Sequence, residues 1–310
     1  ASQGRAVTAE DYKVYVRKLF PNTQAVSVWG GEDGSFDTST GVSSTPEYGK
    51  VFISVKSTTG LNLTTSQKEN LEKDLAPFKV ASITPVVVNP ETTFIILGIT
   101  LNYNSSATTQ SRTDLESSVS TTISNFNNNK LKNFNSPFRH SELTGLIDDT
   151  DSAITNNTTT VTMAKFFTPS LTTSSNYTVS FNNALYNPHS GHNSSGGGVI
   201  ASTGFQIDGD TSTEYFFDED GSGNLRTYSV VSGTRTYLNS TSGSVDYANG
   251  IVTINALKIT AVSNIDGETS TTIRMTAIPS SNDIVPVRNQ LLELDLVNTT
   301  ITGQVDNTTT

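Results

Sequence analysis

The sequence predicts an α+β multidomain fold, with small split-βαβ-like α/β units followed by an antiparallel β-rich domain. Three observations carry this. Residues 6–29 read as one helix feeding one strand, punctuated at both ends. Residues 94–101 form a strand with a wholly apolar face, and an amphipathic helix follows. From residue 168 onward helical periodicity disappears and turn signals crowd between short apolar runs. The division this suggests is 1–90, an α/β domain; 91–168, a second α/β domain; 169–288, an antiparallel β domain; and 289–310, a C-terminal strand and flexible polar tail.

Thr8 is placed to cap the first helix, and Asp11 three residues on can return the bond, an Asp version of the capping box. Glu10 and Asp11 also put negative charge on the positive end of the helix dipole. Tyr12, Tyr15, Val16 and Leu19 share one face, Pro21 stops the helix, and residues 25–29 alternate as a strand. Residues 30–48 read as a flexible, glycine- and serine-rich surface loop. Its Gly30-Gly31-Glu32-Asp33-Gly34 string lacks the Lys of a phosphate cradle and carries acids that repel phosphate. Val51, Ile53 and Val55 mark a second strand, residues 65–77 a helix with Leu71 and Leu75 inward, and residues 81–89 a third strand. Helix, strand, strand, helix, strand in so short a stretch suggests the split-βαβ type.

In the next strand Ile95, Leu97, Ile99 and Leu101 make one apolar face, and Phe94 with Ile96 makes the other apolar at one end. That pattern predicts a central strand buried on both sides over half its length. Ser111 and Asp114 stand at the start of a helix over about residues 109–127, whose stripe is Leu115, Val119, Ile123 and Phe126. A short helix at 138–147 and a strand at 158–167 close the unit. Beyond it, Asn249-Gly250 ahead of Ile251-Val252-Thr253-Ile254 is the strongest hairpin signal. Residues 289–297 give a last apolar alternation, and 299–310 a polar tail expected to be disordered on its own.

Composition excludes several function classes. The net charge is −10, and no Lys/Arg cluster exists to contact phosphates, so no nucleic-acid partner is expected. Only 15% of residues are charged, against roughly 25% in average domains, and Ser, Thr and Asn fill the difference. The chain has no cysteine, which removes disulfides, thiolate metal sites and a Cys nucleophile. No apolar run approaches the roughly 20 residues of a membrane helix, and no signal-peptide pattern is present.

Candidate chemistry is sparse. His189-Ser190-Gly191-His192 brings two imidazoles close in sequence but lacks an evident third ligand, and it sits in a Gly/Ser-rich loop at 187–198. Residues 218–224 begin like a calcium loop, but the twelfth position is Ser229 where a bidentate Glu is required, so a hairpin turn is the expectation. No Gly-x-Ser-x-Gly elbow stands in a strand–helix setting. Catalytic, cofactor-binding and metal-binding residues are therefore all expected to be none. Asn62, Asn176, Asn239 and Asn298 head Asn-x-Ser/Thr triplets, which arise by chance in so Asn-rich a chain.

The string Gly4-Arg5-Ala6-Val7-Thr8-Ala9-Glu10-Asp11-Tyr12, then a short helix, Phe20-Pro21 and a strand, resembles the R-x-V-T-x-E-D-Y segment of baseplate-J-like proteins of contractile-tailed phages. Through Arg288-Asn289-Gln290, the order of elements resembles the C-terminal part of the wedge subunits that build the inner ring of T-even-type baseplates. The resemblance implies a further N-terminal part. It also implies a non-enzymatic structural component of the virion's tail baseplate, assembled in the host cytoplasm. Such a subunit forms dimers and a ring around the central hub, joins other wedge subunits, and takes part in the rearrangement that triggers tail contraction. Residues 89–91 and 168–175 are the expected hinges. A surface adhesin or glycan-binding β-module is the alternative, resting on the Thr- and Asn-rich β region and on Tyr186 and Tyr237. The contact surfaces are expected on helix 8–20 and segment 289–297, which carry apolar stripes near the chain ends, with Tyr12, Tyr15, Val16, Trp29, Leu291 and Leu294 as interface residues. For Trp29, the single tryptophan, core packing is the plainer reading and an interface hot spot the alternative.

Overall fold

A computed structural model describes residues 4–34, 36–37, 41–42, 45–60, 62–193 and 198–306. Parts of the loops expected at 30–48 and 187–198, and residues 307–310 of the expected tail, lie outside the described residues. The elements run α1 (Ala9–Leu19), β1 (Thr23–Gly30), β2 (Phe36–Asp37), β3 (Gly41–Val42), β4 (Lys50–Ser57), α2 (Thr65–Leu75), β5 (Thr84–Val88), β6 (Glu91–Tyr103), α3 (Arg112–Phe126), α4 (His140–Asp148) and β7 (Ile154–Phe167). They continue β8 (Ser175–Ser180), β9 (Ile200–Ser202), β10 (Phe205–Ile207), β11 (Asp210–Glu219), β12 (Asn224–Val231), β13 (Thr234–Asp246), β14 (Ile251–Leu257), β15 (Ile259–Val262), β16 (Ile273–Ala277), β17 (Gln290–Leu294) and β18 (Thr300–Val305). The chain forms an α+β fold of two compact units, Ala1–Thr92 with Asn127–Pro137 and Val285–Glu293, and Thr93–Phe126 with Phe138–Ile284 and Leu294–Thr310.

In the first unit the α1 cap is reciprocal: the Asp11 N–H donates to Thr8 Oγ1 (3.2 Å) and the Thr8 N–H to Asp11 Oδ2 (2.9 Å). Helix α2 carries the Gln version, with Thr64 and Gln67 bonded in both directions. Strands order as β1-β4-β5, β1 antiparallel to β4 and β4 parallel to β5. In one detail this differs from a split βαβ: the two parallel strands joined through α2 are direct neighbours. Tyr12 and Val16 of α1 and Leu71 and Leu75 of α2 join Val26, Val51, Ile53, Val55 and Val87 of the sheet in one core. Each such side chain contributes roughly 1.5–3 kcal/mol by leaving water. On β4, Phe52, Ser54 and Lys56 alternate with the core residues and are also buried. There Trp29 stacks on Phe52 with centroids 5.6 Å apart, and Lys56 Nζ meets Glu293 Oε2 at 3.0 Å.

In the second unit β6 pairs antiparallel with β7, β7 with β16 and β16 with β9, while β18 pairs with β6 in parallel. The odd residues of β6 from Ile95 to Tyr103 are buried, and the even ones are only half-buried. The expected double-sided burial is therefore reduced. Phe94 is half-buried and packs edge-on against the exposed Phe166, 5.4 Å away. The stripe Leu115, Val119, Ile123 and Phe126 on α3 is buried as its spacing predicts. Ser111 and Asp114 cap α3 in both directions (3.1 and 3.2 Å). A second correction concerns the C terminus. Residues 300–305, expected in a flexible tail, form β18, because the backbone of β6 offers an open edge from Gly98 to Tyr103.

Strand β17 lies beside β6 in the same sheet as β7, β2 and β3 pair with each other, and the other seven strands make an antiparallel sheet in the order β15-β10-β11-β12-β13-β14-β8. The Asn249-Gly250 hairpin is present between β13 and β14. It is a four-residue connection, with Asp246 opposite Ile251 and Asp246 Oδ1 accepting from the Asn249 N–H at 3.0 Å.

Helix α4 is capped from a distance. Its N-cap Arg139 makes no side-chain cap; instead Asp283 Oδ1 accepts from the His140 N–H (2.9 Å) while Arg139 Nη1 donates to Asp283 Oδ2 (2.8 Å). Arg139 first, then the His140 amide, holds the Asp283 carboxyl below its ordinary value. A carboxyl lowered on folding contributes stability above its unfolded pKa, and that contribution is lost as pH falls through the folded value. Asp283→Asn should therefore flatten the acid limb of melting temperature against pH relative to the parent. Ile123→Ala, which empties a buried site under α3, should lower stability by about 2–5 kcal/mol in urea unfolding.

Candidate interaction surface

The residues singled out from sequence as interface candidates lie inside the chain. Tyr12 and Val16 are in the first unit's core, and Tyr15 is half-buried, stacked on Phe78 at 4.3 Å. Trp29 is 5% exposed, and its Nε1 donates to the Gly34 carbonyl at 3.3 Å. Leu291 is 1% exposed and Leu294 3%. Charged substitutions at those leucines therefore test the fold, not a contact. The physical reason is simple: an amphipathic stripe marks a face that must be covered, and here the chain covers it with its own sheets. Exposed apolar residues sit beside these positions: Val7 and Val14 around α1, and Leu296 and Val297 after β17.

The most built exposed surface lies on the hairpin of β12 and β13. The strands pair from Val231↔Thr234 and turn through Ser232 and Gly233, both at positive φ (51° and 79°). Two such residues make a type I′ turn, which matches the twist of paired strands and needs the freedom of Gly at its second position. Beside this turn Val230 and Val231 are 53% and 55% exposed, and Leu238, further along β13, is 54% exposed. Isolated apolar residues on a surface are ordinary; here they stand on both faces of one hairpin, Val230 and Val231 being consecutive in β12, and mark it as a candidate contact. The sequence signal was Val230-Val231 before a Ser-Gly turn, which identifies a strand end and does not say which way its side chains face.

A buried polar network holds the base of this hairpin. Consecutive strand residues face opposite sides, so Asp218 and Glu219 lie on different faces of the sheet. Asp218 Oδ1 accepts from Arg226 Nε (2.9 Å), and Oδ2 accepts from Arg235 Nη1 (2.6 Å) and the Tyr237 hydroxyl (2.9 Å). The Arg226 guanidinium lies 4.4 Å over the Tyr237 ring, and Arg235 lies 4.6 Å over Tyr228. Burial, with the Asp218 charge, pushes the Tyr237 hydroxyl up. Glu219 accepts from the Tyr247 hydroxyl (2.5 Å), from the Gly221 N–H and from the Asn193 side chain. Burial, then the Glu219 bond, raises the Tyr247 hydroxyl strongly.

This arrangement takes up the groups that sequence offered for ligands. Asp220 turns inward on its own loop, accepting from the Ser222 N–H (2.7 Å) and Asn224 N–H (3.0 Å). Burial opposes ionisation of Asp220, yet the bonds from Asn224 and Ser222 outweigh it and hold the carboxyl below its ordinary value. Residues 218–224 thus form the β11–β12 turn. His192 Nδ1 meets the His189 carbonyl at 3.0 Å, and the two rings are 6.1 Å apart. Among the described residues no group of three or more His, Cys, Asp or Glu side chains could hold a metal ion. Tyr186 is exposed, whereas Tyr237 has its ring face covered by Arg226.

Comparison with known proteins now adds to this geometry. A family model described as baseplate structural protein gp6, C-terminal domain I, matches residues 8–88, the stretch from the α1 cap to β5. A second, gp6 C-terminal domain III, matches residues 91–166, from β6 to β7. The baseplate wedge protein gp6 of Enterobacteria phage T4 is 30% identical over 165 residues, 53% of this chain. The chain belongs to the T4-type baseplate wedge proteins. It spans 23% of the length of that curated relative. A baseplate wedge protein of this family is a structural protein of the virion's tail baseplate. Among the described residues of this wedge chain, no helix is long and apolar enough to cross a membrane.

Removing the Asp218 charge leaves Arg226 buried without its carboxylate, so Asp218→Asn should cost about 3–5 kcal/mol in chemical denaturation. Arg235 is more exposed, and Arg235→Gln should cost less than about 1 kcal/mol.

Proposed function

We propose that this chain is part of a wedge subunit that associates with itself, as a dimer and then a ring around the central hub, and that joins other wedge subunits. Its role is non-catalytic. The observation that carries this reading is the pair of matches lying in chain order, domain I and then domain III, on two consecutive stretches. Only 15% of residues are charged, which leaves most of the polar surface to Ser, Thr and Asn, groups suited to hydrogen-bonded contacts. Self-association through closed symmetry is the usual route to a ring.

The reading extends to the rearrangement that triggers contraction. Its support is the division of the chain into two compact units, which allows rigid-body motion at their connections. Residues 89–91, from the β5–β6 connection to the first residue of β6, are one proposed hinge. We place the contact surfaces on the exposed neighbours of the expected elements, Val7, Val14, Leu296 and Val297, and on the hairpin residues Val230 and Val231.

Light scattering behind size exclusion, across a concentration range, tests this. A species of twice the chain mass, growing with concentration, is the expected result; a strict monomer at every concentration would contradict self-association through this part of the subunit. The V230D/V231D variant should shift the species toward monomer, while its stability stays within about 0.5 kcal/mol of the parent, as for surface substitutions. Unchanged association would remove the hairpin from the interface.

A further inference from the structure

Two sheet edges in this chain that carry no further strand among the described residues are closed by the same device. An edge strand presents a row of backbone N–H and C=O groups to any passing strand, and natural proteins block such edges. In a parallel pair, the N–H and C=O of one residue face the same side, and successive residues alternate. On β5, Thr84 faces inward, its N–H donating to the Gly49 carbonyl at 2.8 Å. Pro85 and Val87 therefore face outward. Pro85 has no N–H, and the Val87 N–H donates to Glu72 Oε1 of α2 at 2.7 Å. That edge has no donor left at its two outward positions.

The edge of β18 is closed more lightly. The Asp306 N–H faces inward to the Tyr103 carbonyl (2.8 Å), so Ile301, Gly303 and Val305 face outward. No strand among the described residues pairs with that side. Only the middle position meets a carboxylate: the Gly303 N–H donates to Glu116 Oε1 of α3 at 2.8 Å. Arg112 Nε, one turn earlier, lies 3.5 Å from the same oxygen. The close approach depends on glycine, since a Cβ at position 303 would come within 2.8 Å of Arg112 Cγ and 3.4 Å of Glu116 Oε1.

We propose that Glu116 is an edge guard, an autoinhibitory contact that closes β18 against a further strand. When its carboxylate is displaced, this edge takes an extended polypeptide segment by backbone pairing. The inference is independent of the dimer reading, because it concerns a closed edge and not an apolar contact. The sequence around it suits strand addition: Thr300 to Val305 carries no charge, and Val305 is exposed. In the first unit, by contrast, Pro85 makes β5 the edge that stays shut.

The test is binding of a fluorescent, uncharged extended peptide unrelated in sequence to residues 299–306, so that it does not replace β18 on β6, read by anisotropy against the parent and three variants. Circular dichroism and melting temperature confirm that each variant is folded. Parent protein should not bind. Glu116→Ala should bind saturably, and so should Gly303→Ala, which keeps the carboxylate but pushes α3's side chains off the edge. Glu116→Gln should behave as the parent, because an amide oxygen still accepts from the Gly303 N–H. A purely structural role for Glu116 would change the melting temperature without creating binding. If neither the Ala variant at 116 nor that at 303 binds more peptide than the parent, the proposal fails. Should Glu116→Ala not fold, Gly303→Ala decides alone.

Discussion

Backbone pairing on β6 is the constraint from which the second unit is built. From Gly98 to Tyr103 the strand is paired on both edges, with β7 on one side and β18 on the other. The approach of β18 is prepared by side-chain and backbone bonds. The Asp295 N–H donates to the Ile95 carbonyl at 2.8 Å, and Thr299 Oγ1 accepts from the Leu97 N–H at 3.2 Å. With its odd face buried and both edges filled, β6 leaves α3 and α4 to settle against the strands beside it, α3 on β18 and α4 on β7. In a chain with few charges and many hydroxyls and amides, ladders of this kind supply the specificity that ion pairs supply elsewhere.

Helices α1 and α3 were legible in the sequence because each carries its own start signal. Thr8 with Asp11 and Ser111 with Asp114 are local signals that tertiary packing did not need to supply. The long strand β13 was illegible for the opposite reason. Most of Thr-Arg-Thr-Tyr-Leu-Asn-Ser-Thr is exposed, so no alternation was required of it, and its pairing with β12 is what makes it a strand. β18 is the same case at an edge. The interface guesses failed to find a surface because stripes report what must be covered and not by what: Leu291 and Leu294 are covered by the chain itself. Asp218 shows a third kind of limit. Its spacing to Asp220 and Gly223 is that of an ion loop, and only the fold reveals that Arg226 and Arg235, from the next two strands, already occupy it.

These features agree with the role of a baseplate building block. The hairpin that exposes Val230 and Val231 is tied to β11 by Asp218, which pairs with Arg226 of β12 and with Arg235 of β13, opposite Val230.

The most direct measurement of the organising role of β6 is amide hydrogen exchange followed by mass spectrometry. If backbone pairing on β6 holds the second unit together, peptides covering Leu97–Leu101 should exchange last, only with global unfolding. The β18 peptide should follow them more closely than the turns at Ser232–Gly233 and Asp266–Gly267. Exchange of the β6 peptides at the rate of those turns would contradict it.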